Sequence, residues 1–411
     1  MPNQTEQTAA ARRDPPGRRA APPRLILILA GEVSGDMHAA RLVAAIRRRL
    51  PDAAFIGIGG EEMRAAGVET QYDVAEMAVM GFTEVVRRFG FFHRVFREML
   101  ALARARRPDA VLLVDYPGFN LRFAARAHAA GLKTIYYICP QVWAWNRGRI
   151  PRMARVVDRL IAIFPFEREV FAGTGLRVDF AGHPLVDEAR QAWSEPLAEL
   201  PWRGEPRVAL LPGSREHEIK RILPAMWTAA AQVQARRPSA SFLIAAPSKP
   251  AELIVRATLA ARGGGPKQWD VATGRTRQVL RQATAAWVAS GTATIEAALM
   301  LCPLVVVYRV AALTYLLGKL LVRVPHIGMV NIVAGRRLCP ELVQNAATPA
   351  ALAAAIEPLL SATPERAGLV AGLQAVAAAL GPGGSVERAA DIVAAELSPS
   401  LQPLRSPDRE T

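Results

Sequence analysis

The sequence predicts an α/β protein of two Rossmann-like, doubly wound domains facing a cleft. Three observations point there. Short β-rich runs alternate with segments of helical periodicity, the alternation stops and restarts once, and several runs end in glycine-containing turns. The first series reads "RLILILA" at 24–30, "AAFIGIGG" at 53–60, "AVLLVDYP" at 110–117, "KTIYYICP" at 133–140, "RLIAIFPF" at 159–166 and "VDFAGHP" at 178–184. Runs this uniformly apolar suit parallel strands buried on both faces. A stretch of mixed charge with Pro and Gly at 187–207 reads as the interdomain linker. The second series follows it: "RVALLPGS" at 207–214, "SFLIAAPS" at 241–248, "QWDVATG" at 268–274, "AAWVASG" at 285–291 and "PLVVVYR" at 303–309. The expected domains are therefore 24–186 and 208–383, between disordered tails at 1–23 and 398–411 that are rich in Pro and carry no period.

Composition narrows the function classes. At 411 residues the chain exceeds one ordinary core, and 51% hydrophobic with 21% charged residues is a globular balance. The net charge of +15 is more than solubility requires, so an anionic partner is expected: nucleic acid, a membrane surface or a phosphorylated small molecule. Only five basic residues are Lys, and such an Arg bias partly reflects genomic base composition. Cys139, Cys302 and Cys339 are odd in number, far apart and without CxxC spacing, which argues against disulfides and structural zinc and for a reducing, cytosolic compartment. The apolar run 25–30 is too short for a signal-peptide core, and 304–324 is interrupted by Arg309, Gly318, Lys319 and Arg323, so neither an export signal nor a membrane span is expected.

Four strand-end turns carry candidate chemistry. "AGEVSGD" has the spacing Gly31-x-x-x-Gly35, neither a dinucleotide nor a Walker fingerprint. Either Ser34 or Asp36 caps the next helix, or the turn meets a ligand across the cleft. In "LLVDYPGFN", Asp115 ends an apolar strand; it is a turn aspartate or a cleft carboxylate whose desolvation equips it as a general base. In "LLPGSREHEI", a strand passes through Gly213, Ser214 and Arg215 into a helix, so backbone N–H groups and a guanidinium can meet a diphosphate. "VASGTATIEAAL" repeats the device with Ser290, Gly291 and Thr292, and Glu296 one turn later can accept both hydroxyls of a ribose. Helix capping explains either loop alone. Two such loops in one domain favour a nucleoside diphosphate.

Two aromatic stretches have double readings. Trp143 and Trp145 beside Asn146, Arg147 and Arg149 are core anchors, or they bring Arg to an anionic headgroup. Val85, Phe89, Phe92, Phe96 and Met99 recur at helical spacing among Arg87, Arg88, Arg94 and Arg97. Such a stripe is ordinary core, or an acyl-chain site at an anionic bilayer.

The ordered motifs "AGEVSGD", "GIGGEEM", "MGFTEVV", "DYPGFN", "CPQVWAWNRGRI", "FPFEREVF", "GHPLVD", "LLPGSREHEI", "SGTATIEAAL" and "HIGMVNIVAGRRLCPELVQ" resemble the bacterial lipid-A-disaccharide synthases, glycosyltransferases of the two-Rossmann-domain B type. The resemblance runs across about residues 25–395. It implies transfer of a diacylglucosamine unit from a UDP-diacylglucosamine donor to diacylglucosamine 1-phosphate, with inversion, giving the β-1,6 disaccharide of lipid A and UDP. It further implies an essential Asp115, UDP contacts from Gly213, Ser214, Arg215, Ser290, Gly291, Thr292 and Glu296, Asn331 near the donor, and no metal or other cofactor. It places the enzyme in the cytoplasm of a Gram-negative bacterium, at the cytoplasmic face of the inner membrane. A last helix at 384–397 returning to the first domain follows by analogy, and exchange of C-terminal elements in relatives leaves a homodimer open. Ser34 and Gly35 are then expected to shape the sugar or acceptor wall. The sequence departs from the family at Tyr116 and Gly118, where many relatives have Ala and Asp, and at Val33, where Ala is common. A UDP-N-acetylglucosamine 2-epimerase of the same fold is the rival enzyme, and the Phe-rich helix counts against it. A nucleic-acid partner lacks any supporting motif.

Overall fold

The computed structural model describes residues 23–77, 89–311, 315, 316, 318 and 324–398. Both tails outside those bounds, the "MGFTEVV" motif with Phe82, Val85, Arg87 and Arg88, and much of the apolar stretch 304–324 lie outside the described residues.

Two parallel sheets form. The first contains β1 (Leu25–Ala30), β2 (Ala54–Gly59), β3 (Glu69–Asp73), β4 (Ala110–Val114), β5 (Thr134–Tyr137), β6 (Arg159–Ala162) and β7 (Arg177–Phe180), in the order β3-β2-β1-β4-β5-β6-β7. The second contains β8 (Arg207–Leu211), β9 (Ser241–Ala246), β10 (Trp269–Thr273), β11 (Ala285–Ala289), β12 (Leu304–Tyr308) and β13 (Glu341–Val343), in the order β10-β9-β8-β11-β12-β13. Each order reverses once, between β1 and β4 and between β8 and β11, where Ile28 pairs with Leu112 and Leu211 with Val288. In an open parallel sheet such a reversal leaves a crevice beyond the strands' carboxyl ends, because successive crossover helices depart to opposite faces. The central strands explain their own position: Ile26, Ile28, Val111, Leu112, Leu210 and Val288 are wholly buried.

Two strands escape the apolar-run signal. β3 reads ETQYD at a sheet edge, and β13 has three residues. The stretch expected as linker at 187–207 begins inside a helix, Leu185–Ser194, whose buried face is Leu185, Val186, Ala189 and Ala192. The Ser385–Leu397 helix lies along Val33–Arg49 of the first domain. Arg49 pairs there with Glu387 at 2.7 Å and Asp391 at 2.5 Å, and Lys133 Nζ donates to the Glu396 carbonyl at 2.6 Å. Exposed ion pairs contribute at most about 1 kcal/mol each. The burial of Ala389, Ala390, Val393 and Leu397 therefore holds this helix, and the pairs set its register.

The turn after β1 corrects the capping expectation. The helix starts at Val33 with Glu32 as N-cap and no side-chain cap bond, so neither Ser34 nor Asp36 caps it. Asp36 is buried and caps a neighbour instead: its carboxylate accepts from the backbone N–H of Gly60 (2.6 Å), Glu62 (3.1 Å) and Met63 (3.2 Å) at the start of the Glu61–Ala65 helix. Asp36→Ala leaves those donors buried without a partner. It is expected to destabilise the first domain by about 1–3 kcal/mol, read as a lower thermal unfolding midpoint, with Asp36→Asn losing less.

Candidate active site

The first sheet's crevice is built around a strained turn. Asp115 and Tyr116, directly after β4, both take left-handed backbone angles, with φ of 45° and 48°. Asn120, in the Pro117–Ala129 helix, holds that turn. Its buried amide donates to the carbonyls of Asp115 (2.8 Å), Val114 (3.2 Å) and Leu29 (3.3 Å), so one side chain ties the ends of β4 and β1 together. The Tyr136 hydroxyl adds a second donor to the Asp115 carbonyl. Gly31 is required opposite, since a Cβ there would stand 2.2 Å from the Tyr116 ring. The Asp115 carboxyl is thereby fixed in the crevice. Burial, and next the negative charge of Glu32, raise its pKa to about 6 against a smaller opposing hydrogen bond from the Tyr116 N–H. Such a carboxylate is ionised at neutral pH yet more basic than an ordinary aspartate, the balance a general base needs.

The second crevice is a cavity of about 550 Å³. Gly213, Ser214 and Arg215 line it from the turn after β8, and Ser290, Gly291, Thr292 and Glu296 from the turn after β11 and the helix that follows. Gln141, just past β5, lines it from the first domain, so the two crevices face each other. The loop after β8 departs from its expected geometry in one respect. The Glu218 carboxylate accepts from the N–H groups of Ser214 (3.1 Å) and Arg215 (3.3 Å), the capping reading of that loop. Gly213, at φ 114°, has no room for a Cβ against the same Glu218 side chain. Ser290 donates its hydroxyl to the Ile327 carbonyl at 2.9 Å. Burial first, and then Glu188, raise the Glu296 pKa, while Arg277 beside it acts in the opposite sense.

Asn331, expected near the donor, does not line this cavity. It is fully buried: its amide nitrogen donates to the Cys339 carbonyl (2.9 Å) and Glu341 (2.8 Å), and its oxygen accepts from the Cys339 N–H (2.8 Å). Glu341 in turn accepts from the N–H groups of Ile327 and Gly328, so Asn331 supports the loop that Ser290 touches without lining the cavity. Ser34 is exposed in the first helical turn and Gly35 is buried close to Ala30 and the Val114 carbonyl, both beside the first crevice.

A second cavity, of about 660 Å³, opens beside the Asp115 turn. Phe89, Phe92 and Phe96 of the Phe89–Arg106 helix line it together with Tyr116, Gly118 and Phe119, and Arg122, Arg126, Arg152 and His93 stand around it. Phe96 packs edge-on against Phe119 and Phe123, so the stripe serves the core at one end while Phe89 remains 64% exposed at the other. The two tryptophans divide as well. Trp143 is buried and donates to Glu167 at 3.2 Å, whereas Trp145 is exposed with the Arg149 guanidinium 5.0 Å above its ring. Glu32 and Gln141 lie within quoted motifs without having been singled out, and Arg277 and the arginines around the Phe cavity carried no sequence signal, since each is brought to its site by a helix face that apolar periodicity does not define. Among the described residues no group of three or more His, Cys, Asp or Glu could hold a metal ion, and no helix is long and apolar enough to cross a membrane.

The raised pKa of Asp115 has a consequence for stability. Its folded value exceeds the unfolded value, so the folded state holds the proton more tightly; the contribution of this group to stability is greatest below about pH 4 and is lost as pH rises through about 6. Asparagine also tolerates the left-handed angle. Asp115→Asn is expected to stabilise the protein by about 1–2 kcal/mol at neutral pH, with the gain vanishing in urea titrations near pH 4.

The family model described as lipid-A-disaccharide synthetase matches residues 26–383. The chain is similar to the lipid-A-disaccharide synthase of Geobacter metallireducens, 42% identical over 376 residues that cover 91% of this chain and 97% of that one. The Myxococcus xanthus synthase is 40% identical over 384 residues, covering 92% and 98%. In fold the chain is similar to a solved glycotransferase of kitacinnamycin, with a TM-score of 0.60 and 19% identity over 92% of this chain and 99% of that one. Two facing Rossmann-like sheets and a match over nearly the whole described chain leave one conclusion: this protein belongs to the lipid-A-disaccharide synthetase family and is a glycosyltransferase of the two-Rossmann-domain type.

Proposed function

We propose that the chain joins a UDP-2,3-diacylglucosamine donor to 2,3-diacylglucosamine 1-phosphate, giving the β-1,6-linked disaccharide 1-phosphate and UDP with inversion at the anomeric carbon. The observation that carries this reading is the juxtaposition at the Asp115 turn. A carboxylate raised toward neutral pKa directly precedes Tyr116, which lines an apolar cavity with arginines around it, and Gln141 of the same domain lines a second-domain cavity of nucleotide size.

In the proposed step, Asp115 takes the proton of the acceptor's 6-hydroxyl as its oxygen attacks the donor's anomeric carbon. The bond from that carbon to the diphosphate oxygen breaks, and UDP departs with the electron pair. Arg215, lining the second cavity, can meet the charge that develops on the leaving diphosphate, and Glu296 can accept the ribose hydroxyls. The acceptor's acyl chain enters among Phe89, Phe92 and Phe96, with Arg122, Arg126 and Arg152 toward its 1-phosphate. Ser34 and Gly35 border the acceptor side. The same Phe and Arg face gives the protein its peripheral contact with the anionic cytoplasmic surface of the inner membrane, and no cofactor enters the step.

The test is incubation of purified protein with both lipid substrates. Disaccharide and UDP are expected in equal amounts, and absence of both overturns the proposal. Asp115→Asn is expected to lower turnover by about 10²–10⁴-fold with UDP affinity nearly unchanged. Arg215→Ala is expected to weaken UDP binding about tenfold or more by calorimetry, while Phe92→Asp raises KM for diacylated but not for deacylated acceptors.

A further inference from the structure

An unbroken row of alternating charges leaves the second-domain cavity and ends in the first domain. Glu296 lines the cavity, and its Oε1 lies 3.2 Å from Arg277 Nε. Arg277 also pairs with Glu188 through Nη2. Glu188, in turn, takes Arg41 of the Val33–Arg49 helix at 2.5 Å. The two carboxylates are well covered, with side-chain exposures of 19% for Glu296 and 15% for Glu188, so their pairing is worth more than that of surface charges. Glu188 sits on the Leu185–Ser194 helix, which is fastened to the second domain: Trp193 donates to the Leu299 carbonyl at 3.1 Å, and Arg281 to the carbonyls of Ala192 and Glu195 at 2.8 and 2.7 Å.

We propose that Arg277 is a positioning residue for donor binding, holding the Glu296 carboxylate ionised and aimed at the ribose and linking it through Glu188 and Arg41 to the first domain. This rests on the reading of the cavity as the UDP site. The charged groups near Glu296 are Arg277 from the Thr276–Gln282 helix and Glu188 from Leu185–Ser194, with Arg215 and Glu218 lining the same cavity. Of these, Arg277 is the cation in contact with Glu296. Without it two partly desolvated carboxylates, Glu296 and Glu188, face one another, and Glu296 relieves the repulsion by taking a proton or turning from the cavity. Either response costs the ribose its acceptor.

Calorimetric binding of UDP and of 2′-deoxy-UDP to the full chain, with Arg277→Gln, Arg277→Lys, Glu296→Gln and the Arg277→Gln/Glu296→Gln double variant, tests this across pH. The wild type is expected to prefer UDP, and its affinity to fall as the solution is acidified through the Glu296 titration. Arg277→Gln is expected to bind UDP about tenfold more weakly, to discriminate less against the deoxy ligand, and to begin losing affinity at higher pH. Arg277→Lys should restore most of the affinity, and in the Glu296→Gln background Arg277→Gln should change little. Wild-type affinity and discrimination in Arg277→Gln overturn the inference, as does a loss of equal size with and without Glu296. If the wild type binds no UDP, it is the assignment of the cavity itself that falls.

Discussion

The constraint on which everything else depends is the reversal of strand order in each parallel sheet. At β1 and β4, and again at β8 and β11, neighbouring strands send their following chain to opposite faces, and the crevice between is open. The turns and helix starts that follow those strands are placed by buried backbone and still border the crevice. Asp115 belongs to the first crevice, Arg215 and Glu296 to the second. Gln141 reaches from one domain into the other's cavity, which shows that the carboxyl ends of both sheets share a single cleft.

The turn at Asp115 is held at a cost. Two successive left-handed residues that are not glycine cost on the order of 1–3 kcal/mol each. Asn120 and Tyr136 offset this with hydrogen bonds to the same carbonyl group, and the Asn120 amide reaches β1 as well. The arrangement explains why aspartate and asparagine stand five residues apart with a proline between them. Pro117 opens the helix that carries Asn120 back to the turn, and the carboxyl is left partly desolvated where an ordinary turn aspartate would be in water. Folding stability is thus given up at the position where the proposed step calls for a basic carboxylate.

Much of this was legible in the sequence, for definable reasons. Fully buried parallel strands leave uninterrupted apolar runs, so the two series could be read, whereas β3, an edge strand of mainly polar residues, could not. Strand-end turns could also be read, because Gly213 and Gly291 meet backbone demands that few other residues satisfy. Phe89, Phe92 and Phe96 share a face at helical spacing, and that face does line a cavity beside Asp115. Side-chain direction was not legible. Asn331 turns into the protein toward Cys339 and Glu341, Asp36 caps a helix far along the chain, and Glu218 folds back on the loop that precedes it. Arg277 is one arginine among many in the sequence, and only the approach of three helices gives it two carboxylate partners.

In the proposed reaction a carboxylate raised toward neutrality at the first crevice activates a hydroxyl for attack on a sugar nucleotide held in the second. The pH dependence of turnover at saturating donor and acceptor, compared with that of Glu32→Gln, tests it most directly. The rate should rise with pH through an apparent pKa of about 6, and the variant's rise should lie at lower pH, because removing the Glu32 charge takes away a cause of the elevation. A rate that is level between about pH 5 and about pH 8, or a rise that Glu32→Gln leaves in place, contradicts the account.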